Sequence, residues 1–200
     1  MRNLIRAAVV LVVLFAAYWG WALFGAAQLA SAASRGDAAA VMERVDLPAL
    51  SRSISRQISL AFLDQNPQFK RLQPLQQGFL RSAGANAANA LLRDILTPET
   101  IAALLNTGRA SLPETGPAWR MPALSEAFSV SPLRVAANSR FDGPTRFVIG
   151  LDSSEGRFDV HLHLSGGTWL LSGLDIPGDV SARLAQAIAQ RIGGTPRNGG

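Results

Sequence analysis

The sequence predicts an α+β protein with an N-terminal transmembrane helix, a helical half packed on an antiparallel β-meander of three or four strands, and a C-terminal helix. Three observations predict this class. An uncharged apolar run lies near the N-terminus, apolar residues recur every three or four positions to about residue 112, and they alternate every second position from about residue 125. Helices followed by strands along the chain indicate an α+β domain.

The composition limits the class of function. The 200-residue chain has a formal net charge of +5 and no cysteine, which excludes a disulfide framework, a thiolate zinc site and an iron–sulfur cluster. Only 16% of the residues are charged and 48% are hydrophobic, which indicates that part of the chain lies in lipid. The chain has no phosphate loop, dinucleotide-binding glycine motif or serine-hydrolase elbow. We therefore expect a protein that is not an enzyme, with no catalytic residues and no cofactor.

Residues 1–35 are predicted to form a membrane anchor. Residues 7–27 carry no charge, and a helix of this length spans about 31 Å, close to the hydrocarbon thickness of a bilayer. Arg2 and Arg6 precede the run, so the N-terminus is expected in the cytoplasm and the rest of the chain outside. One alternative is a signal peptide cleaved at Ala30-Ser31-Ala32, although the apolar run exceeds the usual length for one. A buried core helix is the other alternative.

Residues 36–192 are predicted to form an extracytoplasmic domain, of which 36–112 are the helical half. Capping residues and prolines predict four helices: one capped by Asp37, one opened by Pro48 and ended at Asn66-Pro67, one over about Pro74–Leu96, and one from Thr97-Pro98 to Gly108. Five basic residues of this half are interpreted as solvated faces of amphipathic helices rather than a polybasic surface: Arg52, Arg56, Lys70, Arg71 and Arg81.

Residues 113–124 are predicted to be a connector, and residues 125–177 the strand half. Strands are expected at 145–152, 157–165 and 168–176, with an earlier strand near 128–137 or 134–141 that Pro132 limits to a sheet edge. Gly166-Gly167 is typical of a hairpin turn. Segment 168–176 is apolar on both faces, so we expect a central strand or one covered on its second side.

Asp179 is expected to cap a C-terminal helix over residues 179–192, and residues 193–200 to form a flexible tail. Helices over a curved sheet are compatible with a cystatin-like or nuclear-transport-factor-like cone. This is an analogy of fold alone, which implies no function.

The candidate metal ligands are His161 and His163, which share one face of a strand with Asp159. Such spacing occurs in zinc sites and suggests a metal-dependent hydrolase as one alternative. An exposed polar face beside a turn explains the same alternation without a metal, so we assign no metal site. Trp169 and Phe158 are interpreted as core residues rather than ligand-stacking residues.

The stretch from Tyr18 to Ile58 resembles a family of uncharacterised single-pass bacterial envelope proteins defined only by a domain of unknown function. The segments RFVIGLD and TWLLSGLDIP are similar too, so the resemblance covers most of residues 18–177. It implies the anchored topology and supplies no catalytic residues. We interpret Asp46 as an acceptor for backbone N–H groups at the start of the Pro48 helix. The residues at the family's motif positions are Gly36, Asp37, Ala38, Val45, Asp46 and Pro48.

The sequence therefore predicts a membrane-anchored, non-enzymatic module on the periplasmic side of a bacterial inner membrane. It would contact lipid through residues 7–27 and bind an envelope protein or an amphiphile, with no nucleic-acid partner. The alternative is a pocket protein for a small apolar ligand, which the apolar residues on both faces of segment 168–176 suggest.

Overall fold

Helix α1 spans Arg2–Ser34 and passes from an exposed apolar part into the core of the protein. The computed structural model describes residues 1–65, 73, 75–76, 78, 82, 96–110 and 119–193. Residues 1–17 are exposed, whereas much of the second part of the helix is buried. The buried residues of α1 are Ala22, Gly25, Ala26, Leu29, Ala30, Ala32 and Ala33.

Among the described residues, α1 is the one helix long and apolar enough to cross a membrane. Length and composition alone do not separate such a helix from a signal sequence or from the core helix of a soluble protein. The first part of α1 is exposed on every side of the helix and carries bulky apolar side chains. A core helix would bury such side chains. They include Leu4, Ile5, Val9, Val10, Leu11, Val12, Val13, Leu14 and Phe15.

Three further helices follow the positions that capping residues predict. Helix α2 spans Ala38–Met42, α3 spans Leu47–Gln65 and α4 spans Pro98–Thr107. The Asp37 carboxylate accepts a hydrogen bond from the backbone N–H of Ala40, and the Thr97 hydroxyl accepts one from Thr100. Most of the helix predicted over Pro74–Leu96 lies outside the described residues, as do Lys70, Arg71 and Arg81.

The segment between the helices and the sheet differs from the prediction. Residues 111–118 lie outside the described part, but the rest of the expected connector includes strand β2, Trp119–Arg120, which pairs with β1, Arg109–Ala110. The strand predicted over 128–137 is wrong, because helices α5, Leu124–Val130, and α6, Pro132–Ala137, lie there. Pro132 is at the first helical position, where its missing N–H costs nothing. Of the alternative strand predicted over residues 134–141, only residues 139–141 form a strand.

The predicted meander is confirmed as a four-stranded antiparallel sheet with the order β3-β4-β5-β6. In β5, Phe158, Val160 and Leu162 face the core, and the polar residues between them face outward, as the alternation predicts. Gly166 and Gly167 have φ values of 55° and 82°, which the hairpin turn between β5 and β6 requires. The strands are β3, Ser139–Phe141, β4, Arg146–Ser153, β5, Gly156–Ser165, and β6, Thr168–Asp175.

A β-bulge explains why apolar residues occur on both faces of the sequence pattern of β6. The register shifts between His161 and Leu162, so Leu171 pairs with Leu162 while Leu174 pairs with Val160. Both leucines therefore reach the core face, because the extra residue moves the later part of the strand to the opposite face. The strand is the last of the sheet rather than a central one, and a parallel bridge from Val45 to Leu171 covers part of its free edge.

Helix α3 lies along β6 and joins it through polar contacts. The Gln57 side chain donates a hydrogen bond to the carbonyl oxygen of Leu174, and its oxygen accepts one from the N–H of Ile176. Helix α7, Gly178–Gly193, packs on α3 and carries Asp179 in its first turn rather than as its cap. Residues 194–200 of the predicted tail lie outside the described residues.

An aromatic cluster joins α1 to one end of the sheet. The ring of Trp169, which is 1% exposed, lies about 6 Å from the rings of Tyr18, Trp21 and Phe147. Gly25 allows this close approach, since a Cβ at that position would lie 2.8 Å from the Cβ of Trp169. The interpretation of Trp169 and Phe158 as core residues is confirmed by their burial.

Candidate functional site

The outer face of the sheet carries the polar side chains that the sequence singled out. The alternation of β5 places Asp159, His161 and His163 on this face, opposite the core residues. His163 pairs across the sheet with Arg146 of β4, and His161 pairs with Val148. The two histidines and the aspartate therefore share one face, as predicted.

Each histidine faces a different carboxylate. The Nε2 atom of His161 lies 2.8 Å from Oδ2 of Asp175 on the neighbouring strand, and Nε2 of His163 lies 3.8 Å from Oδ2 of Asp46. The other oxygen of Asp46 accepts a hydrogen bond from the N–H of Ala49, at 2.9 Å. The predicted capping role of Asp46 at the start of α3 is confirmed, and the contact with His163 is an addition that sequence spacing could not reveal.

Two arginines hold Asp159, the expected third member of the histidine group. Arg140 lies 2.8 Å from one carboxylate oxygen and Arg157 lies 2.9 Å from the other. Gly150 makes room for Arg157, since a Cβ there would lie 2.1 Å from its guanidinium. Burial raises the pKa of Asp159, but the hydrogen bonds and positive charges of the two arginines outweigh it, so the pKa lies below its usual value.

The geometry does not join these residues into a metal site. Among the described residues, no group of three or more histidine, aspartate, glutamate or cysteine side chains has a metal-binding arrangement. Both oxygens of Asp159 are engaged by guanidinium groups, which compete directly with a cation. Asp159 therefore contributes to the stability of the sheet.

Replacing Asp159 with asparagine is expected to lower the free energy of unfolding by about 1–3 kcal/mol near neutral pH, because two charge-assisted hydrogen bonds are lost. A lowered folded-state pKa stabilises the fold above the ordinary aspartate value of about 3.9, and this contribution is lost as the pH falls below it. Urea unfolding of the wild type and D159N in detergent should therefore show a difference at about pH 7 that shrinks at about pH 3.

The matched control is Asp152→Asn, which removes an exposed carboxylate from the same face, where the Asn138 amide lies 3.4 Å away. A loss near neutral pH as large for Asp152→Asn as for Asp159→Asn would contradict the role given to the two arginines.

A groove of about 820 Å³ lies between α3 and the outer face of the sheet. Arg52 and Arg56 line it from α3, and Arg146 lines it from β4. Neither Arg52 nor Arg56 has an ion-pair partner among the residues that the structure describes. Arg146 is held by Asp142: its Nε donates to the carbonyl oxygen at 2.9 Å and lies 3.6 Å from the carboxylate. The groove also contains His161 and Asp175. Asp142 also lines it, so three arginines face two carboxylates and the lining has a net charge of +1, which favours an anionic group.

The sequence did not predict this arrangement. Arg52 and Arg56 are four positions apart on one helix, and their spacing is equally typical of a solvated face. Arg146 comes from a strand some 90 residues later, and only the packing of α3 on β6 brings it near them. A second groove of about 520 Å³ is lined by Glu126, Arg134 and Asp152, so its net charge is −1 and it does not favour an anionic group.

Between α3, α4 and the core face of the sheet, the described residues leave little space for a ligand. A cavity of about 20 Å³ lies between α3, α4 and the core face of the sheet, and apolar residues such as Leu105 and Leu174 line it. This volume admits about one water-sized probe. Because the bulge turns the leucines of β6 inward, the feature that suggested a pocket for a small apolar ligand has another explanation.

One family model matches part of the chain, and its description assigns no activity. No curated protein and no solved structure matches the chain. The matching family model covers α2, α3 and most of α1 and α4, and it ends before the sheet. The predicted resemblance to a family defined only by a domain of unknown function is confirmed: residues 11–104 match the family described as "Protein of unknown function (DUF2939)".

Proposed function

We propose that this protein is a membrane-anchored, non-enzymatic binding module that faces the periplasm of a bacterial inner membrane. The exposed apolar first part of α1 supports the anchor, because such a surface is costly in water and favourable in lipid. Arg2 and Arg6 precede the apolar run, which favours a cytoplasmic N-terminus and an extracytoplasmic domain.

The packing of α1 favours a retained anchor over a cleaved signal peptide. The small residues of the alternative cleavage site, Ala30 and Ala32, are each 2% exposed within a continuous helix. Cleavage there would also detach Ala22, Ala26 and Leu29, which are fully buried in the core. A peptidase needs an accessible segment, and the mature chain needs its core, so both arguments support retention.

The ligand that we propose is the anionic head of an amphiphile, held in the groove between α3 and the sheet. The observation that carries this proposal is the set of three arginines that line the groove. Arg146 and Asp142 lie at the end of the sheet where Tyr18 of α1 donates a hydrogen bond to the carbonyl oxygen of Pro144. An amphiphile is favoured over an acidic protein segment because the groove extends from the same end of the sheet as the proposed anchor.

The test is binding of dioctanoyl phosphatidylglycerol, a water-soluble anionic lipid, to the full chain in neutral detergent, measured by isothermal titration calorimetry. The double variant Arg52→Gln, Arg56→Gln is expected to weaken binding roughly tenfold, because partly exposed ion pairs contribute about 1 kcal/mol or less each. Dioctanoyl phosphatidylcholine, which has no net charge, is expected to bind more weakly to the wild type.

The matched control is Arg109→Gln, Arg120→Gln, which removes the same charge from the β1–β2 ribbon, where these two residues pair. Equal weakening by both double variants would reveal a general effect of net charge and would contradict the proposed groove. Wild-type binding that does not distinguish the two lipids would contradict an anionic ligand.

A further inference from the structure

We propose that the β3–β4 turn, residues 142–145, lies in the headgroup layer of the bilayer, so that this end of the sheet is a lipid-contacting surface. The inference rests on the anchor role of α1 given under the proposed function. It adds the distance of the domain from the bilayer and the orientation of the domain relative to the membrane.

The length of the free part of α1 is the first argument. A hydrocarbon core about 30 Å thick requires about 20 helical residues. Residues 2–17 are the uninterrupted exposed stretch of the helix, which corresponds to about 24 Å. The remaining thickness must be spanned by residues from Tyr18 onward, where α1 is already in contact with the rest of the protein.

The contacts of α1 show which part of the domain lies at that level. The ring of Phe141, at the end of β3, lies 6.1 Å from Phe15 and 5.1 Å from Tyr18, where the two rings stack. The Tyr18 hydroxyl donates to the carbonyl oxygen of Pro144, inside the turn. The turn is therefore beside the helical segment that completes the span.

The exposed aromatic residues next to the domain agree with this placement. Trp21 is 41% exposed and Phe24 is 59% exposed, although both belong to the part of α1 that packs against other elements. Tryptophan and tyrosine, here Trp21 and Tyr18, are typical of the membrane–water interface. The turn itself is exposed at residues 142–145 and carries polar groups that the headgroup layer can solvate.

The continuity of α1 removes the alternative of a domain held above the membrane. A raised domain needs a linker between the apolar run and the first packed residue. Helix α1 is unbroken from Arg2 to Ser34, and its first domain contact is at Phe15. A domain in the headgroup layer and a domain raised above the membrane differ in the depth of the β3–β4 turn, which can be measured.

The experiment uses the full chain, which has no native cysteine, so that a single introduced cysteine carries the label. Thr145→Cys and Ser154→Cys are matched, because each is an exposed residue immediately outside β4, at opposite ends of the strand. Eight strand residues separate them by about 30 Å. Val12→Cys, in the exposed part of α1, reports on the anchor itself.

Each variant is labelled with nitrobenzoxadiazole and reconstituted in phosphatidylcholine vesicles that contain a lipid with a nitroxide close to its headgroup. For the Val12 label, which the anchor would place near the bilayer midplane, the nitroxide is instead deep on the acyl chain. We expect quenching of the Thr145 label to exceed that of the Ser154 label several times, with strong quenching at Val12 as well. Equal, weak quenching at Thr145 and Ser154 with strong quenching at Val12 overturns the lipid contact and leaves the anchor intact. Weak quenching at all three positions overturns the anchor, and with it the proposed function.

Discussion

A chain that begins at Gly36 is expected not to fold. The deleted segment contains fully buried residues such as Ala22, Ala26, Leu29 and Ala33, and its removal uncovers Trp169. Burial of these side chains and of the surfaces they cover contributes about 5–10 kcal/mol, which is comparable with the whole stability of a domain. Circular dichroism during urea titration should show no cooperative transition for this chain.

The control is a chain that begins at Tyr18, which removes the exposed residues 1–17 and retains every buried residue of α1. It is expected to unfold cooperatively. Cooperative unfolding of the chain that begins at Gly36 would show that α1 is dispensable to the core. The same comparison bears on processing, since cleavage at Ala30-Ser31-Ala32 produces almost the same chain.

Gly108→Ala is expected to lower the free energy of unfolding by about 3–5 kcal/mol. Gly108 ends α4 with a φ of 68°, which alanine adopts only with strain. A Cβ at this position would also lie 1.8 Å from the carbonyl oxygen of Met121. That oxygen belongs to the backbone and cannot rotate away, and the Met121 N–H donates to the Gly108 carbonyl at 2.8 Å. Urea unfolding monitored by tryptophan fluorescence measures the loss.

Gly36→Ala separates the effect of backbone strain from the effect of the steric contact with Met121. Gly36 follows α1 with the same φ of 68°, but no atom lies within 4 Å of its added Cβ. Its expected loss is about 1 kcal/mol, the contribution of backbone strain alone. Equal losses at both positions would contradict the steric contact with Met121.

Local sequence signals predicted the elements whose ends are set by local chemistry. Asp37, Thr97 and Gly108 cap helices through hydrogen bonds or a φ that the residue itself determines, and Gly166-Gly167 forms its turn for the same reason. The β5 alternation was equally informative, because one face of that strand is buried and the other is not.

Features that depend on packing escaped prediction. The bulge in β6 lies beside Gly173, but a lone glycine within a strand is equally compatible with a close backbone approach. Helices α5 and α6 were obscured because Pro132 is compatible with both a sheet edge and a helix start. The basic groove required contacts between α3 and β4 residues that are distant in the sequence. One available signal was missed: bulky residues dominate α1 up to Phe24 and small residues dominate it from Gly25 to Ser34, which is typical of a helix that enters a packed interior.

The unbroken course of α1 has a mechanical consequence. A transmembrane helix adjusts to the thickness of its bilayer by tilting. In a protein with a flexible linker, that tilt is not transmitted to the domain. Here the helix that would tilt is also a core element, with Gly25 against Trp169, so any rotation of the anchor turns the sheet by the same angle. With α1 as the proposed anchor, the thickness of the bilayer sets the direction in which the arginine groove opens.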